Sequence, residues 1–146
     1  MAGVRYEIEL SDVDLERAIA QAVDMVRSEP LMEELAAAMR AQTRDRFRDE
    51  TGPDGEAWTQ SRRAADENGK TLQDERRLYK SIVTDASPLR ATIGTNLVYS
   101  AIHQLGGKTG RNESVDMPAR PYLGMSRDDA RELEDLVFDH IRRRAA

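Results

Sequence analysis

The chain has 146 residues, of which 39% are hydrophobic and 34% charged, and its net charge is −5. That length suits one domain with a modest core, and the acidic balance opposes the positive field that phosphate contacts need, which argues against direct DNA binding. The absence of cysteine excludes disulfides, thiolate metal sites and a cysteine nucleophile.

The opening stretch, MAGVRYEIEL, lacks the apolar core of a signal peptide, and no run reaches the ~18 apolar residues that cross a bilayer. The expectation is a soluble protein made in the cytoplasm, without membrane contact. Val4, Tyr6, Ile8 and Leu10 alternate with charged residues, which predicts a half-buried strand. Ser11 stands as an N-cap with Asp14 in the capping-box position. Leu15, Ile19, Ala22, Val23 and Val26 then recur at helical spacing. Ser28-Glu29-Pro30 interrupts this helix, because proline suits a first turn and breaks an interior. Either a second helix starts there or one long helix kinks. Leu31, Leu35, Met39, Thr43 and Phe47 follow at steps of four, opposite Glu33, Arg40, Arg44 and Arg48.

Pro53-Asp54-Gly55 predicts a turn, followed by the single tryptophan, Trp58. Residues 60–75 are polar and charged, with a second turn signal at Asn68-Gly69, and are expected to be exposed and mobile, with room for one short helix. Alternation around Ile82–Thr84 and Leu89–Ile93, broken by Ser87-Pro88, predicts an antiparallel hairpin. Tyr99, Ile102 and His103 share one side of a short predicted helix. Residues 106–116 are glycine-rich and polar, and are expected to form a mobile loop. Arg120 precedes Pro121, which biases it toward extended geometry. Ser126, with Asp129 three residues on, caps a final helix carrying Ala130, Leu133, Val137 and Ile141. The fold class that follows is α+β in a single domain over 1–146. Its small antiparallel sheet packs against a long N-terminal helix, or kinked helix pair, and a C-terminal helix.

Candidate chemistry was weighed motif by motif. Gly107-Lys108-Thr109 ends like a phosphate-binding loop, but the first glycine of that pattern would fall on Ile102, and no apolar helix follows. An EF-hand loop begun at Asp49 puts Asp54 and Gln60 where glycine and glutamate belong; begun at Glu50, it puts Ser61 in the last place. His103 and His140 are the only histidines, and no spacing joins them to carboxylates as metal ligands. His103 could serve as a general base, but the reading favoured is a histidine that orders the glycine loop after it by hydrogen bonds. No nucleophile elbow or Ser-His-Asp order is present. Neither enzyme activity nor a cofactor follows from these residues. Gly106-Gly107 marks backbone freedom or the close approach of another chain. Arg120-Pro121-Tyr122-Leu123 joins residue types common at interface hot spots, or else closes the core with Arg120 paired to a carboxylate.

Several of these stretches, in this order, resemble the phage virion morphogenesis family, which includes tail-completion proteins of contractile-tailed phages and prophages. They are ETGPDGEAW ending at Trp58, LYKSI from Leu78 to Ile82, IGTNLVYSAIHQLGG from Ile93 to Gly107, and MPARPYLGMS from Met117 to Ser126. The chain departs from the family at DERRL, Asp74 to Leu78, which lacks a glycine that members usually carry there. The resemblance implies a structural role in virion assembly, with no cofactor and no catalytic residue. It implies a homo-oligomeric ring, commonly a hexamer, that caps the tail tube and meets the head connector inside the host cytoplasm before joining the virion. A capsid-assembly role competes with tail completion. A nucleic-acid-contacting module, reached through Arg142–Arg144 and the arginines of 40–48, is a further alternative. On this reading Trp58, Tyr99, His103, Gly106, Gly107, Arg120, Pro121, Tyr122 and Leu123 are the candidate assembly residues. The stretch from Gly106 to Arg120 forms the expected assembly surface, ordered by a neighbour.

Overall fold

The structure, a computed structural model, describes residues 11–146. The strand expected over residues 4–10 lies outside the described residues. The first helix, α1, spans Asp12–Val26, with the Ser11 hydroxyl accepting from Asp14 N as its N-cap. A second helix begins at once: α2 covers Glu29–Asp49, Ser28 caps it by accepting from Leu31 N, and Pro30 sits in its first turn. The alternative of one kinked helix is thereby resolved into two helices, because Ser28 has extended backbone and opens a new cap.

Downstream come α3 (Arg62–Glu67), α4 (Arg77–Ser81), strands β1 (Val83–Ser87) and β2 (Arg90–Gly94), α5 (Ser100–Leu105), β3 (Gly107–Thr109), β4 (Val115–Met117) and α6 (Arg127–Ala145). The fold is α+β, as the alternating and helical patterns predict. The strands form two separate antiparallel pairs, β1 with β2 and β3 with β4, where one small sheet was expected. In the first pair Val83 faces Gly94 and Ser87 faces Arg90 across a tight Pro88-Leu89 turn. The carbonyl of Pro88 accepts from Ser28 N at 2.9 Å, which ties the hairpin tip to the α1–α2 junction.

The second pair corrects the sequence reading of 106–116 as a loop. Gly107 faces Met117 and Thr109 faces Val115, around a 3-10 turn at Arg111–Glu113. Residues 60–75 are also more built than expected. Ala64 and Thr71 are buried, and the Thr71 hydroxyl accepts from Ser61 N while its own N–H donates to the Glu50 carboxylate.

The core gathers Phe47, Trp58, Leu78, Ile82 and Tyr122. Phe47 stands edge-on to Trp58 and Tyr79, with ring centroids 5.5 and 5.6 Å away, and tilted against Tyr122 at 5.6 Å. Such aromatic pairs add about 0.5–1.5 kcal/mol each beyond the area they bury, so a chain with few aromatics concentrates them at one point. On the other side α6 packs along α2 through a polar joint. The Arg46 guanidinium pairs with Asp129, and Gln42 Nε2 donates to the Asp129 carbonyl and to Glu132. Asp129 is at the same time the N3 residue of the Ser126 capping box.

Candidate assembly surface

The stretches quoted above converge on one place. Segment 117–124 is tied to the helix α2, to Trp58 after the Pro-Asp-Gly turn and to α5 by a series of hydrogen bonds. Trp58 Nε1 donates to the Pro121 carbonyl at 2.9 Å. Arg46 Nη1 donates to the Tyr122 carbonyl at 3.2 Å. Gln104 of α5 clamps the segment: its Oε1 accepts from Tyr122 N at 3.1 Å and Leu123 N at 3.0 Å, and its Nε2 donates to the Leu123 carbonyl at 2.9 Å. The Tyr122 hydroxyl reaches back to the Ser100 carbonyl at 2.9 Å.

Glycine is needed at Gly106 for a reason internal to the subunit. Its φ is +70°, and a Cβ there would lie 2.7 Å from Ala119 N and 2.9 Å from the Met117 carbonyl. The close approach anticipated from Gly106-Gly107 is therefore that of the chain's own segment 117–119. Arg120 N donates to the His103 carbonyl at 2.7 Å, holding the two segments together.

Among the candidate residues, Trp58, Arg120 and Tyr122 are buried, and Tyr122 is only 1% exposed. His103, Gly106, Pro121 and Leu123 are half-buried, whereas Tyr99 and Gly107 reach the surface. The Tyr122 hydroxyl is held above its ordinary pKa by burial. Among the described residues Arg120 does not pair with a carboxylate; its Nε donates to the Thr59 carbonyl at 2.7 Å and its Nη1 to Met117 Sδ at 3.4 Å. Burial without a carboxylate pulls its pKa below the usual guanidinium value. His103 lies edge-on to Tyr99 at 5.9 Å, and its Nδ1 is buried with no partner among the described residues. The His103 carbonyl, rather than its imidazole, orders the neighbouring chain. Burial, and then the charge of Arg120, lower the His103 pKa from 6.5.

This buried knot faces a groove of about 950 Å³ whose floor includes Leu72, Leu78 and Met117. Its rim carries Arg62, Arg63, Arg76 and Arg77, with Arg120 and His103 at the back. Sequence reasoning missed the Gln104 clamp, and also Val98 and Leu105, which are 98% and 75% exposed beside α5. The tail arginines are engaged within the chain. Arg144 Nη1 donates to the Asp24 and Met25 carbonyls at the end of α1, Arg143 lies 3.8 Å from Glu34, and Arg142 lies 3.4 Å from Asp139. Among the described residues no helix is long and apolar enough to cross a membrane, and no group of three or more His, Cys, Asp or Glu is placed to hold a metal ion.

Comparison with known proteins agrees with this arrangement of motifs. The model of the Phage virion morphogenesis family matches residues 9–142. The chain is 37% identical over 108 residues to Mu-like prophage FluMu G protein 2 of Haemophilus influenzae, covering 73% of this chain and 74% of that protein. It is 31% identical over 147 residues to the putative capsid assembly protein G of Escherichia phage Mu, covering 92% of each. It is 27% identical over 126 residues to the tail completion protein S of Escherichia phage P2, covering 77% of this chain and 83% of that protein. No solved structure matches the chain. The chain belongs to the phage virion morphogenesis family.

Proposed function

We infer that this protein is a structural component of virion assembly that completes the tail and joins it to the head. It does so as a ring of identical subunits, with a hexamer favoured, seated between the tail tube and the head connector. The observation that carries the reading is a set of large apolar side chains left open on a subunit whose aromatic core is already closed. Trp58, Leu78, Ile82 and Tyr122 of the family's stretches lie inside the subunit, where they fix the fold. Large apolar side chains stand outside it: Val98 just before α5 and Leu105 at its end, Met125 just before α6 and Phe138 on it, and Val13, Leu15 and Ile19 on α1. Scattered apolar residues are normal on a surface, but stripes on helices are what assembly covers.

The titratable groups favour a structural role over catalysis. His103 faces the cation of Arg120 rather than a carboxylate, so it lacks the partner that would raise its basicity. The tail arginines have acceptors within the subunit, Arg144 on α1, Arg143 on α2 and Arg142 on α6 itself, which favours protein contacts over nucleic acid. The subunit is expected to assemble in the host cytoplasm. A second reading, a capsid-assembly factor, draws on the printed name of the phage Mu relative, which aligns over 92% of this chain.

Electron microscopy of lysates from a phage or induced prophage lacking the gene separates the two. Tail completion predicts filled heads and tails side by side but unjoined, and capsid assembly predicts loss of heads.

A further inference from the structure

Helix α1 and the groove, which no α1 residue lines, have complementary defects. None of the α1 residues is buried, and Leu15, Ile19 and Val23, at steps of four, form a stripe open to solvent, with Ile19 55% exposed. Among the described residues the main packing of α1 is on α6, and its C-terminal end is tied down there by Arg144. Its charge is acidic: Asp12, Asp14, Glu16 and Asp24 against Arg17. An exposed amphipathic helix of this kind has an apolar face without its complement.

The groove has the opposite character. It combines an apolar floor with an arginine rim, and its own acids are already paired. Glu75 binds Arg77 at 2.5 Å, Asp74 lies 3.9 Å from Arg63, and Asp116 lies 3.9 Å from Lys108. Arg62 and Arg76 have no carboxylate partner among the described residues, and the buried Arg120 at the back has only neutral acceptors. A buried cation without an anion is costly, and a carboxylate entering the groove removes that cost. No residue of α1 or α6 lines the groove, so the two features sit on different parts of the subunit.

We propose that the α1 helix of a second copy of this chain docks in the groove, its apolar stripe on Leu72, Leu78 and Met117 and its acids on the arginine rim. This rests on the reading of the protein as a self-associating subunit. Two different patches meet, so the contact is head-to-tail and propagates until the rotation closes it into a ring. The other apolar hollow, between Met125, Leu133 and Phe138 on α6, is the alternative seat. Charge disfavours it, because Glu134 lines it and no base does.

The test is a charge swap read by sedimentation velocity and native mass spectrometry, with circular dichroism confirming the fold. One variant carries Asp12→Lys, Asp14→Lys and Glu16→Lys; the other carries Arg62→Glu and Arg77→Glu, all at exposed positions. Each alone is expected to weaken self-association about tenfold or more, since like charges then face one another. Mixing the two variants, or combining all five changes in one chain, restores it. If the wild type self-associates and neither variant weakens it, the docking proposal is overturned while the self-associating reading stands. If Phe138→Asp alone abolishes association, the helix sits on α6 and the proposal is equally overturned. A wild type that stays monomeric at all concentrations overturns both.

Discussion

The joint between α2 and α6 makes the sharpest prediction about stability, because one carboxylate serves two tasks there. Asp129 accepts from Ser126 N at 2.9 Å as half of the capping box, and it neutralises Arg46, whose side chain is 7% exposed. Asp129→Asn keeps an oxygen for the cap and removes the charge; Asp129→Ala removes both. Breaking a buried ion pair at one partner costs about 3–5 kcal/mol, because the remaining charge is left uncompensated. Here Asp129 is 17% exposed and Arg46 keeps the Tyr122 carbonyl, so the low end applies and Asp129→Asn should cost about 3 kcal/mol. The alanine adds about 1 kcal/mol for the lost cap. In a domain of this size that corresponds to a fall in Tm of about 10 °C for the asparagine variant. Arg46→Met in the Asp129→Asn background removes the orphaned cation and should recover at least half of the loss. Urea denaturation of the wild type, Asp129→Asn, Arg46→Met and the double variant gives the cycle directly. A cost below about 1 kcal/mol for Asp129→Asn, or no recovery in the double variant, would refute the argument that the joint is held by a charge pair.

Three further perturbations follow from the knot around segment 117–124. Gly106→Ala must push a Cβ into the backbone of Ala119 and Met117 at a positive φ, so it should cost about 2 kcal/mol or more by urea denaturation; Gly107→Ala shares the positive φ but meets the flexible tip of Ile102 instead of backbone, and should cost less. Gln104→Leu leaves the Tyr122 and Leu123 amides and the Leu123 carbonyl without their partner; the expected loss is about 2–4 kcal/mol, with faster hydrogen exchange at both amides. His103 is predicted to make the fold acid-sensitive. Its folded pKa is depressed from 6.5, so the unfolded chain binds the proton first. Its contribution is fully present above pH 6.5 and is lost as pH falls below that value toward the depressed folded pKa. Thermal melts of His103→Gln should show a shallower fall over that window than the wild type, and parallel curves would remove the effect from His103.

Much of this architecture was legible in residue patterns, and the exceptions have physical causes. The Ser28-Glu29-Pro30 and Ser126-Asp129 caps and the β1–β2 hairpin announce themselves through local chemistry, which acts within three or four residues. The β3–β4 pair was invisible because strands of three residues hold too little alternation to detect. The burial of Arg46 and Gln42 was not legible, since only the distant Asp129 and Glu132 make it tolerable. Within DERRL, the stretch without the glycine, Arg76 takes a left-handed backbone with φ +58°, and its guanidinium covers Tyr79 at 4.6 Å. The candidate assembly residues were chosen by motif, and motif alone does not say which way a side chain faces: Arg120 and Tyr122 face inward. Only the threading of 117–124 through the core reveals that, and the outward apolar positions Val98 and Leu105 carry no distinctive pattern.

The most direct test of the protein's role is its position in the particle. Gold-labelled antibody against this protein, applied to intact virions and viewed by electron microscopy, should mark a single site where tail meets head. Label spread across the capsid, or absent from mature particles while empty precursor heads are marked, would contradict tail completion and favour a role in building the head.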